Sequence, residues 1–327
     1  MSGPDGDGQR GPRDRRAGTR VRGSMVPEAE PRSYYGRPII KEPVWTWEVP
    51  WYFFAGGLAG ASASLGLAAR LTGNHRLART AFTVSGAGVT AGVPLLVSDL
   101  GRPERFPYML RVFKVTSPLS VGSWVLAAMG PAVAGAAVAD RLGVFPRLGR
   151  AAEAAAGLLG PALATYTGTL VADTAVPVWH EAGRELPFVF AGSAAASAGA
   201  AAVLLTPPAD AGPARRLVVA GALLELGAAQ TMERRLGELG EPYHQGPAGR
   251  LARLAKACTA TGAGLVALGG RRRRAFTATG AALTLAGSAC ERWAVYKAGF
   301  QSARDPRYIV EPQRARMAER EREQLKQ

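Results

Sequence analysis

Apolar runs of membrane length alternate along the chain with short charged segments. From Pro50 onward eight such runs can be counted, at roughly 50–70, 80–99, 119–139, 152–174, 187–206, 217–232, 255–269 and 275–296. Most are long enough to cross about 30 Å of hydrocarbon as a helix. The sixth and seventh are shorter and less apolar. The pattern predicts an all-α integral membrane protein, a bundle of about eight transmembrane helices within residues 45–300. Residues 1–44, rich in Gly, Pro, Arg and Asp, read as a disordered basic N-terminal tail. Residues 301–327 read as a polar C-terminal tail, and the alternating charges of 314–327 suit a solvated helix.

The stretch Leu95–Trp124 breaks the rhythm. An apolar run ends at Asp99 and another begins near Leu119. Between them, Arg102 to Ser117 is too polar to span. Phe106, Met109, Leu110 and Phe113 fall on one face at helical spacing, with Arg105, Arg111 and Lys114 elsewhere. This predicts an amphipathic helix lying in the interface between helices two and three. Small residues recur every four positions at Gly56, Gly60 and Ser64, and again at Ala278 and Ala282. That spacing lets helix backbones approach closely in lipid.

Composition changes this picture little. The formal net charge is +15, which in a soluble protein would suggest nucleic acid. Here Lys and Arg concentrate in tails and loops, where they set topology and meet lipid phosphates. Membrane lipid is the expected contact, and nucleic acid is not. The two cysteines, Cys258 and Cys290, lie in apolar helices as small core residues, and no CxxC is present. No iron–sulfur cluster or other metal site is therefore expected within the chain. The three histidines, His75, His180 and His244, occupy loop positions. A haem held in a bundle needs His ligands facing one another inside helices, so no haem is expected.

An even number of spans puts both tails on one side, the tail face, together with loops 100–118, 175–186 and 233–254. Most acids map there. Glu48 enters helix one, Asp99 leaves helix two, and Asp173 leaves helix four ahead of His180 and Glu181. Glu225, Glu233, Glu291 and Arg292 fall in the tail-face parts of later helices, and of the acids inside the predicted spans only Glu153 sits at the other end. Ionisable groups inside spans are costly and tend to be functional. Tyr166, seven residues before Asp173, lies about 10 Å deeper, where its hydroxyl can meet a polar headgroup. The plainer alternative is that these acids pair with arginines and orient helices. Arg102 is the expected partner of Asp99. Positive-inside counting on the short loops places the tail face outside, whereas the basic N-terminal tail argues the reverse.

WTWEVPWYFFAGGLAG (45–60), DLGRPERF (99–106), SPLSVGSW (117–124), TYTGTLVADTAVPVWHE (165–181) and GFQSARDPRY (299–308) together resemble the NrfD/PsrC family, the integral membrane subunits of polysulfide reductase and related molybdopterin enzymes. The resemblance covers about 44–310. It implies an eight-helix bundle that binds quinone or quinol and holds no redox cofactor of its own. Electrons then pass to or from a four-cluster ferredoxin-like iron–sulfur subunit serving a molybdopterin oxidoreductase subunit. The expected location is the cell membrane (the bacterial cytoplasmic membrane), multi-pass. By motif position the quinone-contacting residues are Trp47, Glu48 and Tyr166. This chain lacks the helix-one His of the polysulfide reductase pocket, so Glu48 or Asp99 must serve as acid/base. Asp173, His180 and Glu181 would lead protons to the tail-face solvent, and Arg102 and Arg105 belong to the ion-pairing and docking surface. Two other classes compete: a proton- or ion-translocating transporter-like subunit, drawing on Glu225, and a purely structural anchor.

Overall fold

The computed structural model describes residues 39–270 and 273–324, all within one compact unit. The disorder expected over most of the N-terminal tail lies outside these residues. Eight long helices follow in order: α1 (Glu48–Leu71), α2 (His75–Asp99), α3 (Pro118–Leu142), α4 (Pro146–Ala172), then after the short α5 (Pro177–Glu181), α6 (Leu186–Leu205), α7 (Gly212–Leu236), α8 (Gly246–Gly269) and α9 (Arg274–Arg304). A polar helix, α10 (Arg307–Gln324), closes the described chain. No strand occurs among the described residues.

Local sequence sets the helix ends. The Asn74 side chain accepts from the Leu77 amide at 3.1 Å and starts α2. Ser117 caps α3 ahead of Pro118, whose fixed φ suits a first helical position. Gly143, at φ +66°, ends α3 in the left-handed conformation glycine allows.

Six of the long helices are long and apolar enough to cross a membrane: α1, α2, α3, α4, α6 and α8. With Leu158, Leu223 and Leu268 exposed on the outward helix faces, this is an integral membrane protein. Helices α7 and α9 have the length, at 25 and 31 residues, but carry more charge. Much of that charge faces inward, since Glu225, Glu291 and Arg292 are all buried.

The helices form two halves with the same pairing. In the first, α1 packs on α2 and α4, and α3 on α4. In the second, α6 packs on α7 and α9, and α8 on α9. Helices α6 and α9 join the halves by packing against α1. Small residues allow this closeness. A Cβ on Gly60 would lie 2.4 Å from the Gly160 carbonyl oxygen, and the Ser64 hydroxyl donates to the Gly157 carbonyl at 3.0 Å. Gly60 and Ser64 thus form the α1–α4 seam, while Gly56 meets open space. The α9 stripe corrects the expectation. Gly280, Thr284 and Gly287 face α8, not Ala278 and Ala282, and Ala282 is exposed.

The loop after α2 also differs from the sequence reading. Residues Pro103–Leu110 form a 3₁₀ helix, not an amphipathic α-helix reaching Phe113. Pro107 lies inside this segment and offers no N–H to an α-helical ladder, and the segment winds in the tighter turns of a 3₁₀ helix. At its other end the bundle outruns its expected limit: α9 continues to Arg304, where the guanidinium holds Glu42 through two 3.0 Å bonds.

Candidate functional site

The N-terminus of α1 and the C-terminus of α2 meet at the tail face. The Thr46 hydroxyl lies between two carboxylates, donating to Glu48 and reaching Asp99 Oδ1 at 3.5 Å. Both acids are partly buried. Glu48 opens α1, where the helix dipole favours a negative charge.

One turn deeper, about 6 Å along α1, stands Tyr52. Its ring is buried, and its hydroxyl hydrogen-bonds the hydroxyl of Tyr166 on α4. Two hydroxyls carry two protons and share one bond, so one O–H remains for a further acceptor. Tyr166 is held in place by Gly122 of α3: a Cβ there would lie 2.0 Å from its ring carbon Cε2. The site thus has a mouth bearing two carboxylates and one hydroxyl, above a buried pair of phenols.

The family described as "Polysulphide reductase, NrfD" matches residues 39–236, more than half of the chain. The chain belongs to the NrfD family. A search of curated proteins finds no match. NrfD proteins are membrane subunits of oxidoreductase complexes, which settles this chain's general role. The match spans α1 to the end of α7 and so includes the mouth and the tyrosine pair; α8 and α9 lie beyond it.

Aromatic residues build the rest of this NrfD tail face. Trp45 stacks on Trp179 at 5.3 Å between ring centroids and meets the Phe53 ring edge-on. Trp179 is fully buried, donating from Nε1 to the Val295 carbonyl at 2.7 Å. The Tyr296 hydroxyl donates to the Trp45 carbonyl at 2.7 Å. These contacts fix the segment that carries Thr46 and Glu48 against α9.

The other predicted residues fall in different places. Trp47 is 58% exposed, and it is Trp45 that packs inward. Asp173 and His180 are exposed, and Glu181 is partly buried with its carbonyl accepting from Arg235. Arg102 and Arg105 are exposed. The expected Arg102–Asp99 pair is replaced by the Thr46–Asp99 contact: Gly101, at φ +65°, and extended Arg102 lead the chain away from the end of α2. Cys258 and Cys290 are free and only partly buried.

Glu225 stands near the middle of α7, deeper than the tail-face position expected, and is 2% exposed. The Thr259 hydroxyl donates to it at 3.3 Å. Nearby, Arg292 donates to Glu291 at 2.9 Å and to the Phe190 carbonyl at 3.0 Å, with its guanidinium 3.7 Å above the Phe190 ring. Sequence reasoning missed Tyr52, Thr46 and the contacts of Arg292 with Phe190. Only Tyr52 left a signal, its spacing of four from Glu48 on one helix face.

Proposed function

We propose that this NrfD-family chain binds quinol at the tail face between α1 and α4 and passes its electrons to an iron–sulfur partner. That partner, a four-cluster ferredoxin-like subunit, serves a molybdopterin oxidoreductase subunit, and the assembly lies in the bacterial cytoplasmic membrane. In this reading all eight long helices span, with α7 and α9 tolerated in lipid because their charged groups face the bundle interior. The 3₁₀ segment Pro103–Leu110 rests in the interface, with Arg102 and Arg105 on the docking side.

The observation that carries the reading is the Tyr52–Tyr166 pair beneath the Thr46–Glu48–Asp99 mouth. Quinol oxidation releases two protons and two electrons. The spare phenolic O–H holds one ring oxygen by a hydrogen bond. Glu48 or Asp99 accepts the two protons in turn at the mouth and returns each to the tail-face solvent, past exposed Asp173 and His180 and partly buried Glu181. The buried setting makes the bond specific, because an unfilled buried hydroxyl is costly.

Steady-state kinetics of the purified complex test this. Tyr166→Phe and Tyr52→Phe should each raise the KM for quinol about tenfold, the value of one hydrogen bond of ~1.4 kcal/mol. Glu48→Gln should lower quinol-linked turnover by roughly 10²-fold, the usual weight of a general base. Reduction of the catalytic subunit by an artificial donor should be unaffected. Unchanged quinol kinetics in all three variants would contradict the assignment.

A further inference from the structure

The α6–α9 half contains a second polar system that the quinol site does not use. A cavity of about 30 Å³ is lined by Glu225, Glu233, Tyr243, Lys256 and Glu291 among apolar neighbours. Around it, Glu225 Oε2, Glu291 Oε1 and the Tyr243 hydroxyl are buried without a hydrogen-bond partner. Three orphaned polar atoms beside a space of that size are the conditions under which a protein holds water. The orphans belong to three different elements, so they are not an accident of one helix end.

The system has a direction. Glu225 lies at mid-depth and Glu233 two turns nearer the tail face, about 12 Å along α7. Tyr243 lines the same cavity as Glu291 and Glu233. Glu233 accepts from Lys256 at 2.6 Å and has His244 at 3.8 Å, and both of these side chains reach the surface. On the opposite side of Glu225 the buried acids give way to an apolar cluster of Ala200, Val218, Ala222, Ala263, Val266 and Ala281, where the buried Thr284 hydroxyl is satisfied by the Gly280 carbonyl. All six belong to the parts of their helices nearest the face away from the tails.

We propose that the α6–α9 half holds a hydrated proton half-channel, open to the tail face at Lys256 and His244, passing Glu233 and Tyr243, and ending at mid-membrane on Glu225 and Glu291 against Arg292. It is closed toward the other face by the apolar cluster, so it exchanges protons with one side only and does not conduct across the membrane. The terminus has two carboxyls and one guanidinium. A buried net charge is costly, so one proton resides on the carboxyl pair and is the one exchanged. Each exchange moves one proton from tail-face water to a carboxylate oxygen, or back, and no bond other than O–H changes. This holds whether or not quinol binds between α1 and α4.

Infrared spectroscopy of the full-length chain in lipid nanodiscs, without quinol or partner subunits, provides the test. A protonated-carboxyl C=O band should be present and should shift within seconds of transfer to D₂O. Glu225→Gln should remove or displace it. Lys256→Met and the Glu233→Gln, Tyr243→Phe double variant should keep the band but slow its exchange by roughly tenfold or more, as loss of a proton relay does. A band that fails to exchange over hours would show a sealed core and overturn the proposal. So would exchange unaffected by the tail-face variants. Should Glu225→Gln not fold, wild-type exchange compared with Lys256→Met still decides.

Discussion

At the residue scale, the site depends on which side chains the helices allow to touch. Tyr166 lies where it does because Gly122 leaves room for its ring. Gly122→Ala would drive a methyl into that ring, and the repacking should cost about 1–3 kcal/mol. The purified chain should unfold at a lower temperature, and quinol affinity should fall with it. Gly56→Ala makes the matched control: its added methyl meets open space, and replacing a mid-helix glycine should leave stability equal or higher by up to ~1 kcal/mol. The depth of Tyr166 was legible in its spacing from Asp173. Its partner Tyr52 was not, because a hydroxyl pair 114 residues apart in sequence exists only once α1 and α4 are docked. The same holds for Arg102: its proximity to Asp99 in sequence suggested a pair that the Gly101 turn prevents.

At the element scale, hydropathy located the helices well and their outer limits less well. The runs at 217–232 and 255–269 read as weak or short because charged residues dilute them, yet α7 and α8 extend for 25 and 24 residues and α8 is apolar enough to cross a membrane. Periodicity cannot distinguish a charge facing lipid from one facing a neighbouring helix. It also overextended the helix at 102–117, where apolar spacing suggested one reaching Phe113 and the chain forms a 3₁₀ segment that ends at Leu110. Between elements, Arg235 at the end of α7 holds Glu185, just before α6, through two 2.6 Å bonds. The Arg235 guanidinium keeps the Glu185 carboxyl below its usual titration range. A lowered carboxyl pKa stabilises the fold above the ordinary carboxylate value, and that contribution is lost as pH falls through the folded value. Thermal stability should therefore drop on acidification below about pH 4.5. In Arg235→Ala the part of this drop due to Glu185 should be absent. An identical acid profile in both proteins would show that the pair contributes nothing.

At the scale of the whole molecule, two halves with the same helix pairing carry different chemistry. The α1–α4 half holds phenols and a carboxylate mouth, and the α6–α9 half holds buried acids around Arg292. Both face the tails, as placing the acids along the sequence had suggested, although Glu225 lies deeper than that reading put it. Membership of the NrfD family makes the chain a membrane subunit of an oxidoreductase complex; the proposed tyrosine-pair site makes it the quinol-reactive one. The most direct test is the quinone content of the purified chain, measured by solvent extraction and mass spectrometry. Wild-type protein and Glu225→Gln should each retain quinone, and the Tyr52→Phe, Tyr166→Phe double variant should lose it while remaining folded. Quinone retained equally by the double variant, or absent from the wild type, would contradict the account.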